Sequence, residues 1–197
     1  MPELRSPLTS IFKPGDYGAI GPQGAGLALS EKVPGALVQI AGWQDFAEAS
    51  APALKELGFE GLGDFKTVRT AGPASCLRIA PDKLLLRHDD AAALEASLEK
   101  LDTQRTPTLD LSHARWLIEI NGPQVEALLS RLTAIDFFLS EFPQRTFVQT
   151  GIHQVNVLIQ RPAAEKFQLF VPVTWTASMW EVICETALPL GYRIATP

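Results

Sequence analysis

The chain has 197 residues, 46% hydrophobic and 20% charged, with a formal net charge of −5. That composition is globular, and its scattered Lys and Arg residues argue against a nucleic-acid surface, which needs clustered cations. No apolar run reaches the ~18 residues of a membrane span, and the first residues lack the basic start and apolar stretch of a secretory signal, so a cytoplasmic protein with no membrane partner is expected.

Residues 1–34 are rich in Gly, Pro and Ser and read as an extended N-terminal arm lying on this chain or on a partner. Their GPQGAG run (21–26) has neither a preceding strand nor a following GK[ST], so it lacks the context of a phosphate loop. From residue 36, ALVQIAGW alternates as a strand does. A helix follows with Phe46, Ser50, Ala53 and Leu57 on one face, a Pro52 within it and Gly58 as its stop. KTVRTA, SCLRIA and KLLLRH are three short strands separated by Gly72-Pro73 and Pro81-Asp82. Leu94, Leu98 and Leu101 mark a helix over 90–101, and TLDLS (108–112) closes the first half.

The second half repeats this order. RWLIEI (115–120) is a strand, and Gly122-Pro123 opens a helix with Val125, Leu128, Leu129 and Leu132 inward. TFVQTG, VNVLIQ and EKFQLFV are strands, the last with Phe167, Leu169 and Val171 on one side. A helix from about Thr174 buries Trp175, Met179, Val182, Ile183 and Thr186, and GYRIA is a last strand. The expected fold is α+β: two ferredoxin-like halves, 35–112 and 113–197, with mainly antiparallel sheets, related by an internal duplication and joined in a single compact domain.

Candidate chemistry is sparse. Asp110, Ser112, His113 and Arg115 concentrate polar groups in six residues. Neighbours on a strand point to opposite faces, so Ser112 and His113 do not make a nucleophile–base pair; capping of a turn by Asp110 or Ser112 is the simpler use. His88 reads as a solvated strand end, His153 as a turn or groove residue, Asp89-Asp90 as a helix cap and Asp136 as a turn residue. Cys76 and Cys184 read as reduced core thiols. No catalytic, cofactor-binding or metal-ligating set stands out. Phe137, Phe138 and Phe142 form an apolar patch in a loop, and Trp180 falls to the side of its helix stripe. All four are candidate partner-interface residues.

Two runs carry a family resemblance. LRIAPDKLLLRH (77–88) resembles a Gly-Pro-Asp-Glu-Trp-Leu-Leu segment of sarcosine oxidase gamma subunits, matching at Pro81, Asp82, Leu85 and Leu86 and departing at Ala80, Lys83 and Leu84. Residues 110–150 resemble the same family at Asp110, Leu111, Ser112, His113, Arg115, Gly122, Pro123, Leu128, Leu129, Asp136, Phe142, Pro143, Gln149 and Thr150, with Ala114 and Thr133-Ala134 as departures. Phe167, Leu169, Val171, Pro172 and Trp180 continue it. The family is similar to the folate-binding domain of aminomethyltransferases, whose Gly-Gly-apolar-Asp-Asp stretch supplies a carboxylate; here that region reads TGIHQVNVLIQ (150–160), without Asp. The resemblance implies an aminomethyltransferase-like fold kept for assembly, with no active site of its own. It implies larger flavoprotein subunits and a small cysteine-containing subunit as partners, and FAD, FMN, NAD and tetrahydrofolate on those other subunits. The alternative is a free-standing folate-binding or aminomethyltransferase-like protein.

Overall fold

In the computed structural model, which describes residues 5–195, the chain divides into two units. One combines the segment up to Val33 with the segment from Arg115 onward, and the other is Pro34–Ala114. Residues 1–4 of the expected arm lie outside the described residues. The rest of the arm is not a loose extension. It contributes β1 (Gly15–Tyr17) and β2 (Leu27–Lys32), which enter a sheet with strands from the far end of the chain. The physical reason is the short alternation within LALSEK: Leu27 and Leu29 are 2% and 0% exposed, and Leu8 is fully buried beside them in the same core.

The 34–114 unit runs β3 (Ala36–Ala41), α1 (Phe46–Glu56), β4 (Arg69–Ala71), β5 (Ala74–Ala80), β6 (Lys83–His88), α2 (Ala91–Leu98) and β7 (Thr108–Asp110). Its sheet order is β4-β5-β6-β3-β7, every pair antiparallel. α1 continues through Pro52, and Phe46, Ala49, Ser50, Ala53 and Leu54 form its inward face. It stops where expected. Gly58 takes φ +82°, its N–H reaches Lys55 O, and the Phe59 N–H reaches Leu54 O at 2.8 Å, which satisfies two of the helix's last carbonyls. Asp90 caps α2 by accepting from the Ala92 N–H. His88 is not a solvated strand end. It lies on β6 between β3 and β5, is 7% exposed, and its Nδ1 accepts from the Asp90 N–H at 2.9 Å.

The other unit continues with β8 (Arg115–Asn121), α3 (Val125–Leu132), β9 (Phe147–Ile152), β10 (Val155–Ala163), β11 (Lys166–Pro172), α4 (Thr176–Ala187) and β12 (Tyr192–Ile194). Its sheet order is β1-β12-β2-β8-β11-β10-β9. Strand for strand this repeats the first unit's order, with two additions: β2 sits between the two strands that correspond to β3 and β7, and β1 lies at the edge beyond β12. β2 pairs antiparallel with β8 and parallel with β12, the single parallel contact among the described strand pairs. Close approach of backbones makes room for it. A Cβ on Gly122 would lie 2.5 Å from Gly26 O, and one on Gly26 would lie 2.7 Å from Leu190 O. The core between this sheet and α3 and α4 gathers Ile118, Ile120, Leu128, Leu129, Phe167, Leu169, Val171, Met179 and Ile183. Cys76 and Cys184 are both free thiols.

β9 and β10 are joined by the two residues His153 and Gln154, which sit at φ +46° and +69° between the paired Ile152 and Val155. A two-residue hairpin turn asks for positive φ at both positions, and Asn-Gly supplies it at less cost than His-Gln. The double change His153→Asn with Gln154→Gly is expected to stabilise the protein by about 1 kcal/mol and to raise the thermal midpoint by roughly 2–4 °C. A lower midpoint would show that the native side chains contribute more than the strain removes.

Candidate functional site

The polar cluster at 110–115 is a turn followed by a strand start. Asp110 Oδ1 accepts the Ser112 N–H at 2.8 Å, and Ser112 Oγ accepts the Leu37 N–H at 3.0 Å. The Ser112 hydroxyl and then its N–H hold the Asp110 carboxyl below the ordinary carboxylate range, with a further contribution from the charge on His113. Ser112 Oγ is thus committed to fastening the end of β7 against β3. His113 is exposed in the turn. This is local structural chemistry, and it leaves no activated hydroxyl.

Arg115 begins β8, and its Nη1 donates to Asn156 O at 3.3 Å; burial lowers its pKa. Alternation along β8 sends Ile118 and Ile120 toward the helices, so Arg115, Glu119 and Asn121 point to the other face. Gln149 pairs across from Leu158, which also points away from the helix-side core occupied by Val157 and Ile159. The structure therefore places Arg115 and Gln149 on one face of one sheet.

Further along that face runs a hydrogen-bonded relay that the sequence did not announce. Glu119, 6% exposed, receives Lys166 Nζ at 2.8 Å and Gln168 Nε2 at 2.8 Å. Gln160 Nε2 then donates to Gln168 Oε1 at 2.6 Å. The carboxylate dictates the direction, because both amides must turn their NH₂ groups toward it. The relay ends on Gln160 Oε1, an enclosed acceptor with no donor among the described residues. Burial pushes the Glu119 carboxyl up, but the bonds from Lys166, Gln168 and Asn121 and the Lys166 charge outweigh it and hold the group below its ordinary value.

The loop after α3 corrects most of the interface expectation. Phe137 and Phe142 are 2% and 5% exposed. They pack on each other and on Phe167, with centroids 5.1–6.0 Å apart. Trp180 is likewise 2% exposed and lies 5.4 Å from the Phe12 ring. α4 starts at Thr176, two residues later than expected, so its buried stripe is Thr176, Met179, Trp180, Ile183 and Ala187, while Trp175 is half exposed. Phe138 remains outside, 66% exposed, next to Leu139 at 47%. Asp136 orders the turn by accepting the Phe138 N–H at 2.9 Å.

The side chain that sequence reasoning missed is Arg161. It is 2% exposed on β10 and donates to Phe137 O (2.7 Å), Phe142 O (3.0 Å) and Ala164 O, while pairing with Glu126 at 2.6 Å. Its guanidinium lies 4.8 Å from the Phe167 ring centroid. The signal was available: Val155, Val157, Ile159 and Arg161 share one phase of a strand, so a cation stands at an inward position.

Elsewhere, the GPQGAG run forms a tight turn with the Gly24 N–H on Gly21 O, followed by a strand and not a helix. It borders an open depression of about 370 Å³ where Arg193 is already paired with Asp16 at 2.6 Å. Among the described residues no three His, Cys, Asp or Glu side chains gather as a metal site would require. Among the described residues no helix is long and apolar enough to cross a membrane.

No family model matches the chain. A curated aminomethyltransferase from Desulforamulus reducens is 29% identical over 97 residues, 46% of this chain and 26% of that protein, so the match spans about a quarter of the relative. A chain of the heterotetrameric sarcosine oxidase from Corynebacterium sp. U-96, solved with pyrrole 2-carboxylate, superposes with a TM-score of 0.78 at 18% identity, covering 94% of this chain and 96% of that one. The glycine cleavage aminomethyltransferase T of Bartonella henselae gives 0.60 at 17% identity, covering 92% of this chain and 57% of that one. The likeness is one of fold: mixed α+β with antiparallel-dominated sheets, shared by the sarcosine oxidase chain and the aminomethyltransferase.

Two measurements probe these placements. Phe142→Ala is expected to cost about 3 kcal/mol or more of unfolding free energy and Phe138→Ala within about 0.5 kcal/mol, read by denaturant titration. The depressed Glu119 carboxyl adds stability that is fully present above its unfolded pKa of about 4.3 and is lost as pH falls through its lower folded value. Wild type should therefore outlast Glu119→Gln at pH 6–8, with the gap closing below about pH 4. A gap independent of pH would assign the loss to packing alone.

Proposed function

We propose that this chain is the gamma subunit, a structural and assembly component, of a sarcosine oxidase-like complex that oxidatively demethylates a secondary amine. The observation that carries this reading is coverage. The chain and the sarcosine oxidase chain match over almost their full lengths, 94% and 96%, whereas only 57% of the aminomethyltransferase is spanned. Fold alone does not assign function, and the site chemistry points the same way. The segment expected to hold the aminomethyltransferase carboxylate is the β9–β10 hairpin, where His153 and Gln154 make the turn and Asp is absent. The Asp110–Ser112 cluster is used up in holding β7 to β3.

On this reading FAD, FMN, NAD and tetrahydrofolate are carried by the larger subunits, with a small cysteine-containing subunit as a further partner. The complex is cytoplasmic and serves sarcosine catabolism and one-carbon metabolism. The second reading, a free-standing folate-binding or aminomethyltransferase-like protein, is favoured by the 97-residue similarity to the curated aminomethyltransferase.

Co-expression with the large and small subunits of a heterotetrameric sarcosine oxidase tests the choice. Incorporation at equal stoichiometry, with amine-dependent peroxide formation by the complex and none by the isolated chain, is the expected outcome. Saturable tetrahydrofolate binding and aminomethyl transfer by the isolated chain would replace this reading with the second.

A further inference from the structure

We propose that Arg115, with Lys32 on the neighbouring strand, binds a small monocarboxylate on the face of the seven-stranded sheet that turns away from α3 and α4. Both cations come from this chain, so the inference stands apart from the subunit reading above.

Arg115 is a cation whose counter-charge is missing from its own chain. Arg161 is matched by carbonyls and by Glu126, and Arg193 grips both oxygens of Asp16 through Nε and Nη2. Arg115 makes one hydrogen bond, from Nη1 to Asn156 O at 3.3 Å, and no ion pair among the described residues. The Nε–Nη2 edge that holds Asp16 in Arg193 therefore has no acceptor from the described residues in Arg115. The side chain is half-buried, and burial lowers its pKa with nothing opposing it. Its charge has lost water without gaining a partner, which is the condition an incoming anion relieves.

Backbone chemistry holds the guanidinium in place. Leu158 pairs with Phe170, so two residues further along the same ladder Asn156 stands opposite Pro172, which has no N–H to offer. The Asn156 carbonyl takes the Arg115 Nη1 donor instead, and Pro172 is itself the cross-strand partner of Arg115. A guanidinium tethered at one nitrogen loses less freedom when its other edge closes on a ligand.

The surroundings select the ligand. Lys32 pairs with Leu117, two residues on from Arg115, which sets the two cations diagonally on one face, with Cα atoms ~7–8 Å apart. Lys32 is exposed and likewise in no ion pair among the described residues. The carboxylate next in phase, Glu119, is engaged by Lys166 and Gln168. A carboxylate matches the two parallel donors of a guanidinium edge. A phosphate has more strong acceptor oxygens to satisfy than one fork and one mobile ammonium can answer beside a proline. The chain's net charge of −5 repels anions at long range, so such binding has to be local.

The test titrates the isolated full chain with sodium acetate at fixed ionic strength and follows the Arg Nε–H resonances by NMR. The signal that Arg115→Gln removes identifies Arg115. In wild type it should shift saturably with a Kd on the order of 1–10 mM. Arg115→Gln should keep the wild-type melting temperature and bind no acetate, read by calorimetry. Arg115→Lys keeps the charge without the fork and should weaken binding about fivefold or more, which decides the matter if the Gln variant does not fold. Lys32→Gln should weaken it about two- to threefold, less so as sodium chloride is raised. No saturable shift in wild type, the same shift with sodium chloride alone, or full affinity in Arg115→Lys would each overturn the proposal. Tighter binding of inorganic phosphate than of acetate would overturn the ligand class. If assembly with the large subunits of a heterotetrameric sarcosine oxidase abolishes acetate binding, a partner carboxylate is the occupant and the free-ligand proposal is wrong.

Discussion

One buried guanidinium organises the unit that contains it. A charge taken out of water is costly unless its donors and its charge are both answered. Arg161 answers them from three directions: the carbonyls of Phe137 and Phe142 on the loop after α3, the carbonyl of Ala164 at the β10–β11 turn, and the carboxylate of Glu126 on α3. The Phe167 ring takes its face. A loop, a helix and a hairpin are thereby referred to a single planar group. The aromatic cluster around Phe167 can close only when these donors are matched, and the placement of Phe138 and Leu139 follows from that closure.

The second organising constraint is the repeat. Both units thread strand, helix, three strands, helix and strand, and both order their sheets alike. In the 34–114 unit the last strand lies directly on the first. In the other unit the same two strands are held apart by β2, which bonds to β8 on one side and β12 on the other. A repeat of this kind keeps its core when a strand is added, because Leu27 and Leu29 continue the apolar face that Ile118 and Ile120 present. What the insertion changes is the sheet's width.

Period and punctuation carried most of the fold. The alternation of Phe167, Leu169 and Val171, the 3.6-residue spacing of Val125, Leu128, Leu129 and Leu132, and the stops at Gly58 and Gly72 each state a local rule that the tertiary structure obeys. The failures occurred where local rules are silent. LALSEK is a six-residue strand flanked by Gly and Pro, and its partners are far away in sequence, so nothing nearby distinguishes it from an arm. The expected stripe of α4 kept Met179 and Ile183, which are buried, but leaned to one side of the observed face and so took in Trp175 in place of Trp180. In the 137–142 loop there is no period at all. Which phenylalanine turns inward is decided by Arg161, some twenty residues later. The polar relay from Lys166 through Glu119 to Gln160 was equally hidden, because its members lie on three strands and meet only through register.

The insertion of β2 also dictates an order of events during synthesis. The 34–114 unit is continuous in the chain, so its contacts can form as soon as its own last strand has left the ribosome. The other unit has to hold β2 unpaired, with Leu27 and Leu29 uncovered, until residues beyond 115 are made, and its parallel ladder waits for Tyr192–Ile194 at the far end. Contacts of such long sequence separation form slowly and leave apolar strands open to wrong partners meanwhile. A nascent chain of this design therefore has its period of greatest vulnerability to chaperone capture and aggregation before its final helix and strand emerge.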